Sequence, residues 1–178
     1  MRVRRMRPQD ARTFLEVHHA SVRGIAARDY PPAVIEDWAP LPVTDAAIER
    51  FLANPEKEIR LVAEMGGEIV GIGALVVEEC ELRACYVLPR AARKGVGSAI
   101  VREIERIARG KNVVSLQLVA SVTSELFYRA LDYEVHERGQ HVLHSGQGMA
   151  CVMMRKVLRS PARGHEEEGF LASPGMTS

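Results

Sequence analysis

The stretch Tyr86–Val101, "YVLPRAARKGVGSAIV", constrains the fold more than any other part of the chain. An apolar run stops at Pro89, which cannot donate to a strand ladder. Arg93 and Lys94 follow, then Gly95 and Gly97 one residue apart. From Lys94 to Arg109 the pattern turns helical. Val96, Ile100, Ile104 and Ile107 face one way, and Arg102, Glu103, Glu105, Arg106 and Arg109 the other. A strand that runs through a glycine loop into a helix aims unpaired amides and the positive dipole end at one point. That arrangement holds an anion, and the glycines let the backbone come close to it.

Two nucleotide loops are excluded by spacing. A phosphate-binding P-loop needs Lys-Ser or Lys-Thr after its last glycine, and no such pair stands in that frame. A dinucleotide loop needs a third small residue where Ile100 stands, and an acidic residue at the end of the next strand. "SLQLVAS" has none.

The surrounding pattern predicts a mixed α/β chain. Arg2–Met6 reads as a short strand and Pro8–Tyr30 as a helix broken by Pro31-Pro32. "AVIEDWA" and "TDAAIERFLAN" read as short helices, the second capped by Thr44 or Asp45. Two β runs around Gly66-Gly67 form a hairpin, and "ELRACYVL" is the next strand. "VVSLQLVA" is a strand, "TSELFYRAL" a short helix, and "YEVHERGQHVLHSGQGMACVMMRKVL" two final strands. One domain is expected over residues 1–158. The polar, proline- and glycine-containing segment 159–178 is expected to be a flexible tail.

This order and these motifs resemble the GNAT (GCN5-related) N-acetyltransferases. The family's coenzyme loop reads Gln/Arg-x-x-Gly-x-Gly/Ala after an apolar-x-Pro strand end, and "LPRAARKGVG" is similar to it. Ala92 departs from the usual first residue, while Arg93 and Lys94 keep positive charge beside it. "SVTSELFYRALDY" resembles the family's Asn-x-x-Ala-x-x-Phe-Tyr-x-x-x-Gly-Phe segment. Ser121 and Ser124 stand for Asn and Ala, and Asp132-Tyr133 for Gly-Phe. The resemblance covers Arg2 to Leu158. It implies a mixed, mostly antiparallel sheet of roughly six or seven strands with flanking helices.

The resemblance also implies a reaction: acetyl transfer from acetyl-coenzyme A directly to an amine acceptor, a small molecule or a peptide amine. Coenzyme contacts are implied at Cys85, Val87 and Leu88 through main-chain groups. The loop residues Arg93, Lys94, Gly95, Val96, Gly97 and Ser98 are implied too, with Ser121 and Phe127. Tyr128 matches the family tyrosine whose hydroxyl lies near the coenzyme sulfur, so it is expected to be the general acid. Glu81, four residues before Cys85, stands where histone-acetylating members carry a base. His18 and His19 are alternative bases, and His18, Arg23, Tyr30 and Trp38 are expected to contact the acceptor. A covalent Cys85 mechanism lacks an adjacent base. The competing reading is a non-catalytic acyl-coenzyme A sensor on the same scaffold, which would need neither Tyr128 nor Glu81.

Composition limits the partners. The net charge of +1 gives no reason to expect nucleic acid. Three cysteines, Cys80, Cys85 and Cys151, make neither a disulfide framework nor a zinc site, so no metal is expected. No apolar run approaches the ~20 residues of a membrane helix, and the basic N-terminus lacks a signal's apolar segment, so a cytoplasmic protein is expected. A homodimer is compatible with these features. The acceptor itself is not specified.

Overall fold

A computed structural model of the protein describes residues 1–158, so the expected tail at 159–178 lies outside the described residues. Seven strands form one sheet: β1 (Arg2–Arg5), β2 (Ile59–Met65), β3 (Glu68–Val76), β4 (Glu81–Val87), β5 (Ser115–Ser121), β6 (Glu134–Val142) and β7 (Gly148–Val157). Their spatial order is β1-β2-β3-β4-β5-β7-β6, and every pairing is antiparallel except β4 with β5. The hairpin at Gly66-Gly67 has both glycines at positive φ, as the sequence predicts.

Helices cover both faces. On one face α1 (Ala11–Gly24) buries Phe14 and Val17 against Val62 and Ile72, with α2 (Pro32–Trp38) and α3 (Asp45–Ala53) beside it. Thr44 caps α3 by accepting the Ala47 N–H at 3.2 Å. The other face takes α4 (Val96–Gly110) and the short α5 (Glu125–Arg129). Ile100, Val101 and Ile104 of α4 are fully buried, each stabilising by about 1.5–3 kcal/mol. Gly71 and Gly73 of β3 let α4 sit this close. A Cβ on Gly71 would fall 2.7 Å from Val96 Cγ1, and one on Gly73 would run into Ile100.

Two expectations are corrected. The helix read over Pro8–Tyr30 is interrupted: 3₁₀ turns cover Pro8–Asp10 and Ala26–Arg28, and α1 lies between them. Gly24, at the end of α1, lies so close to Pro89 that a side chain there would collide with its ring. Glu105 does not face solvent with its helical neighbours. It is only 5% exposed, receives Lys156 Nζ at 2.8 Å, and hydrogen-bonds the Tyr133 hydroxyl at 3.3 Å. The predicted ion pair with Arg109 is present at 3.3 Å. The buried stripe of α4 is wider than its isoleucines suggest, because β7 supplies a cation on that side.

Candidate active site

The site begins with a fault in the sheet. Ala74 pairs with Ala84 and Leu75 with Leu82, so Arg83 is an extra residue in β4. A bulge shifts side-chain alternation by one and bends the strand. Below it, Leu82 joins the core under α4; above it, Cys85 and Val87 do. The parallel partner β5 pairs with β4 only at Glu81 and Gln117, and the Gln117 N–H reaches the Cys80 carbonyl at 2.9 Å. Beyond that point the two strands separate.

Which main-chain groups face the opening follows from parity. The Leu88 N–H donates to the Val70 carbonyl at 2.9 Å, so Leu88, Tyr86 and Ala84 hydrogen-bond toward β3. Cys85 and Val87 therefore present their N–H and C=O groups to the gap. On the far side, Leu158 N–H to Val114 O at 2.8 Å sets Leu116, Leu118 and Ala120 toward β7. Gln117, Val119 and Ser121 then face β4. The expected main-chain role is thus available to Cys85 and Val87. Leu88 has its N–H committed to β3. Val119 was not foreseen, because its parity depends on a register that only the β5–β7 pairing sets.

The loop after β4 completes the opening. Pro89–Ala91 makes a 3₁₀ turn, Arg93 takes φ +61°, and Gly95 precedes α4 at φ +80°. Gly95 has no side chain to cap the helix, and the first helical bond is Ala99 N–H to Gly95 O at 3.0 Å. The amides of Val96, Gly97 and Ser98 therefore have no partner within the helix. Arg93 and Lys94 are exposed and form no ion pair among the described residues. Gly97 packs beneath Phe127, where a Cβ would lie 3.0 Å from Phe127 Cζ.

A cavity of about 1220 Å³ runs along this gap and is lined from both faces of the sheet. Its α4 side carries Leu82, Cys85, Val96, Gly97, Phe127 and Tyr128. Its α1–α2 side carries Val22, Ile25, Ala26, Trp38, Tyr86 and Met149. Glu81, Arg93, Gly95, Ser98 and Ser121 also line it. Lys94, His18, Arg23, Tyr30 and Leu88 do not.

Burial sets the chemistry of each group. Tyr128 is 6% exposed, and no described residue hydrogen-bonds its hydroxyl. Burial, with the neighbouring Cys85, raises its pKa well above the usual tyrosine value, so it stays a neutral phenol. Burial pushes the Cys85 thiol up to about 12, and its Sγ rests 3.7 Å from the Gly97 carbonyl. A thiol held protonated is a poor nucleophile. Glu81 receives Arg83 Nη at 2.8 Å, and Arg83 also engages Glu79 at 2.9 Å and Glu56. The Ser121 hydroxyl accepts the Ser124 N–H at 3.2 Å and so caps the turn before α5.

The acceptor residues expected on the first helices divide. Trp38 lines the cavity, with ring centroids 6.3 Å from Tyr86 and 5.8 Å from Tyr30. Arg23 holds Glu36 bidentately at 2.9 and 2.6 Å and the Ala39 carbonyl at 2.8 Å, joining α1 to α2. Tyr30 donates to the Ala150 carbonyl at 2.6 Å and accepts the Val122 N–H at 2.8 Å. It ties the first helices to β7. His18 packs edge-on to Tyr86 at 4.5 Å, and burial, aided by His19, lowers it to about 3.

His18 links pH to stability. Its ordinary pKa of 6.5 applies to the unfolded chain, which gains a proton on acidification that the folded chain refuses until about 3. Its contribution is complete above pH ~6.5 and falls by about 2 kcal/mol between there and pH ~5. Urea unfolding at pH 7 and pH 5 should show this drop, and His18→Gln should lose most of it. An equal drop in the variant would assign the acid sensitivity to other groups.

Among the described residues no group of three or more His, Cys, Asp or Glu is placed to hold a metal ion, and no helix is long and apolar enough to cross a membrane.

Comparison with known proteins bears on this geometry. A GCN5-related N-acetyltransferase from Rhodopseudomonas palustris superposes with TM-score 0.80 at 24% identity, over 88% of this chain and 95% of that one. PaiA N-acetyltransferase from Thermoplasma acidophilum, solved in complex with coenzyme A, gives 0.68 at 21%, over 88% and 98%. YncA from Salmonella typhimurium, a putative acetyltransferase solved with its cofactor acetyl-CoA, gives 0.66 at 18%, over 92% and 96%. At these identities the likeness is one of fold. No curated protein matches the sequence. The profile of the Acetyltransferase (GNAT) family matches residues 19–133, which contain the split strands, the glycine loop and the segment of Tyr128. That match spans well over half of the chain, and with the shared fold it shows that the protein belongs to the GNAT acetyltransferase family.

Proposed function

We propose that the protein transfers an acetyl group from acetyl-coenzyme A to an amine. One observation carries this reading: the opening between β4 and β5 meets the unpaired amides at the start of α4, with the unpartnered Tyr128 hydroxyl on the same cavity wall. The amides of Val96, Gly97 and Ser98, with Arg93 and Lys94 nearby, suit a pyrophosphate. The main-chain groups of Cys85, Val87 and Val119 suit the amides of a pantetheine arm, added like an extra strand. Bound there, acetyl-coenzyme A would supply a thioester whose carbon gains the acceptor nitrogen and loses sulfur.

The chain's own groups meet the remaining demands. Tyr128, a neutral phenol on the cavity wall, donates its proton or a hydrogen bond to the leaving sulfur. Glu81 takes the proton that the acceptor nitrogen gives up, directly or through water. Its ion pair with Arg83 competes for the same lone pairs and must loosen or share them. Cys85 contributes only main chain.

Coenzyme binding is tested by thermal unfolding with acetyl-coenzyme A. At one hundred times Kd the folded state gains about 2.7 kcal/mol, a rise in Tm of roughly 5–10 °C for a chain of this size. Thiol release measured over a panel of amines then tests transfer. An unchanged Tm at millimolar coenzyme would remove the cofactor assignment. Binding without thiol release on any amine would favour the sensor reading.

A further inference from the structure

The part of the cavity on the α1–α2 side has a chemistry of its own. Trp38, Tyr86 and Met149 form a continuous apolar and aromatic wall with Val22 and Ala26. The wall is pre-set. The Tyr30 hydroxyl is held from two sides, its ring meets Trp38 at 5.8 Å, and His18 meets Tyr86 at 4.5 Å. The charged residues lining the whole cavity are three arginines, Arg28, Arg83 and Arg93, and one carboxylate, Glu81. Arg83 already neutralises that carboxylate at 2.8 Å. A second ammonium group on an acceptor would find no free carboxylate among the described lining residues, and seating it against the apolar wall would cost its hydration.

We propose that the acceptor is a monoamine on an apolar or aromatic body seated against Trp38, Tyr86 and Met149, and that polycations are excluded. The inference rests on the acetyltransferase reading above. The same wall assists the chemistry. An apolar surrounding disfavours the ammonium form of the bound amine, so more of it is the neutral nucleophile the reaction requires. The aromatic faces supply apolar contact to the acceptor body.

The test compares 2-phenylethylamine with spermidine and an aminoglycoside as acceptors for the full chain with acetyl-coenzyme A, by thiol release. Phenylethylamine is expected to exceed both polycations in kcat/KM by at least about tenfold. Trp38→Ala should raise its KM by about tenfold while leaving the thermal shift with acetyl-coenzyme A unchanged. If Trp38→Ala does not fold, Trp38→Leu keeps apolar volume without the ring and is expected to change KM in the same direction. Preference for spermidine or the aminoglycoside, or an unaltered KM in the folded Trp38 variant, overturns the acceptor class. Coenzyme binding without turnover on any panel amine, or loss of the coenzyme thermal shift in the wild-type protein, instead sinks the underlying acetyltransferase reading and the acceptor class with it.

Discussion

Tyr128→Phe is expected to lower kcat by about 10²- to 10⁴-fold with coenzyme affinity unchanged, the range for losing a positioned proton donor. The substitution removes one oxygen and keeps the ring, so its packing against Phe127 at 5.0 Å and Tyr133 at 5.7 Å survives. No described residue hydrogen-bonds the lost hydroxyl, so no protein group is left unpaired. Thermal stability should therefore change little, which separates a chemical role from a structural one. Burial holds the phenol protonated well past the usual tyrosine range, so the wild-type rate should not fall on the alkaline side through ionisation of this group. Steady-state kinetics over pH, with coenzyme titration of both proteins, checks this. An unchanged kcat in the Phe variant would remove Tyr128 from the chemistry.

Lys156→Met should destabilise the fold by about 1.5–3 kcal/mol, the cost of removing a charge-assisted hydrogen bond from a buried carboxylate. Glu105 is almost wholly enclosed, and Lys156 reaches it at 2.8 Å. Arg109, more exposed, stays on the other carboxylate oxygen at 3.3 Å, so the oxygen facing the sheet is the one that loses its cation. The double variant Lys156→Met/Glu105→Leu should recover most of the loss, because replacing a buried pair by apolar groups is often neutral. Urea unfolding of the two variants and the wild type decides it. A single variant within ~1 kcal/mol of wild type would show that Glu105 is solvated in the folded state. The network also borders the site, since the Tyr133 hydroxyl bonds Glu105 while its ring packs on Tyr128.

Local signals in the sequence proved readable where backbone stereochemistry decides. The Gly66-Gly67 hairpin, the Thr44 cap and the strand–loop–helix around Gly95 all stand where they were read. Asp132, which stands where the resembled segment has glycine, adopts φ +66°, a left-handed turn that Asp tolerates better than most residues. Arg93 takes φ +61° without any such cue, because the loop's path is imposed by the strand and helix it joins. Arg23 and Tyr30 carried polar groups on helices expected near the acceptor, yet both spend them on protein partners. Their partners lie 13 to 120 residues away in sequence, beyond any local pattern.

The sequence alone therefore determined the order of the strands and most of the helices, and that a helix N-terminus with two glycines waits after β4. Those features depend on residues within one turn or one hairpin of each other. The tertiary structure alone decided which groups face the opening. The extra residue at Arg83 and the β5–β7 register set the parity of Cys85, Val87 and Val119, and committed the Leu88 amide to β3. Packing across the sheet likewise enclosed Glu105 and neutralised His18. Parity and burial are properties of two surfaces brought together, and a single strand or helix carries information about only one of them.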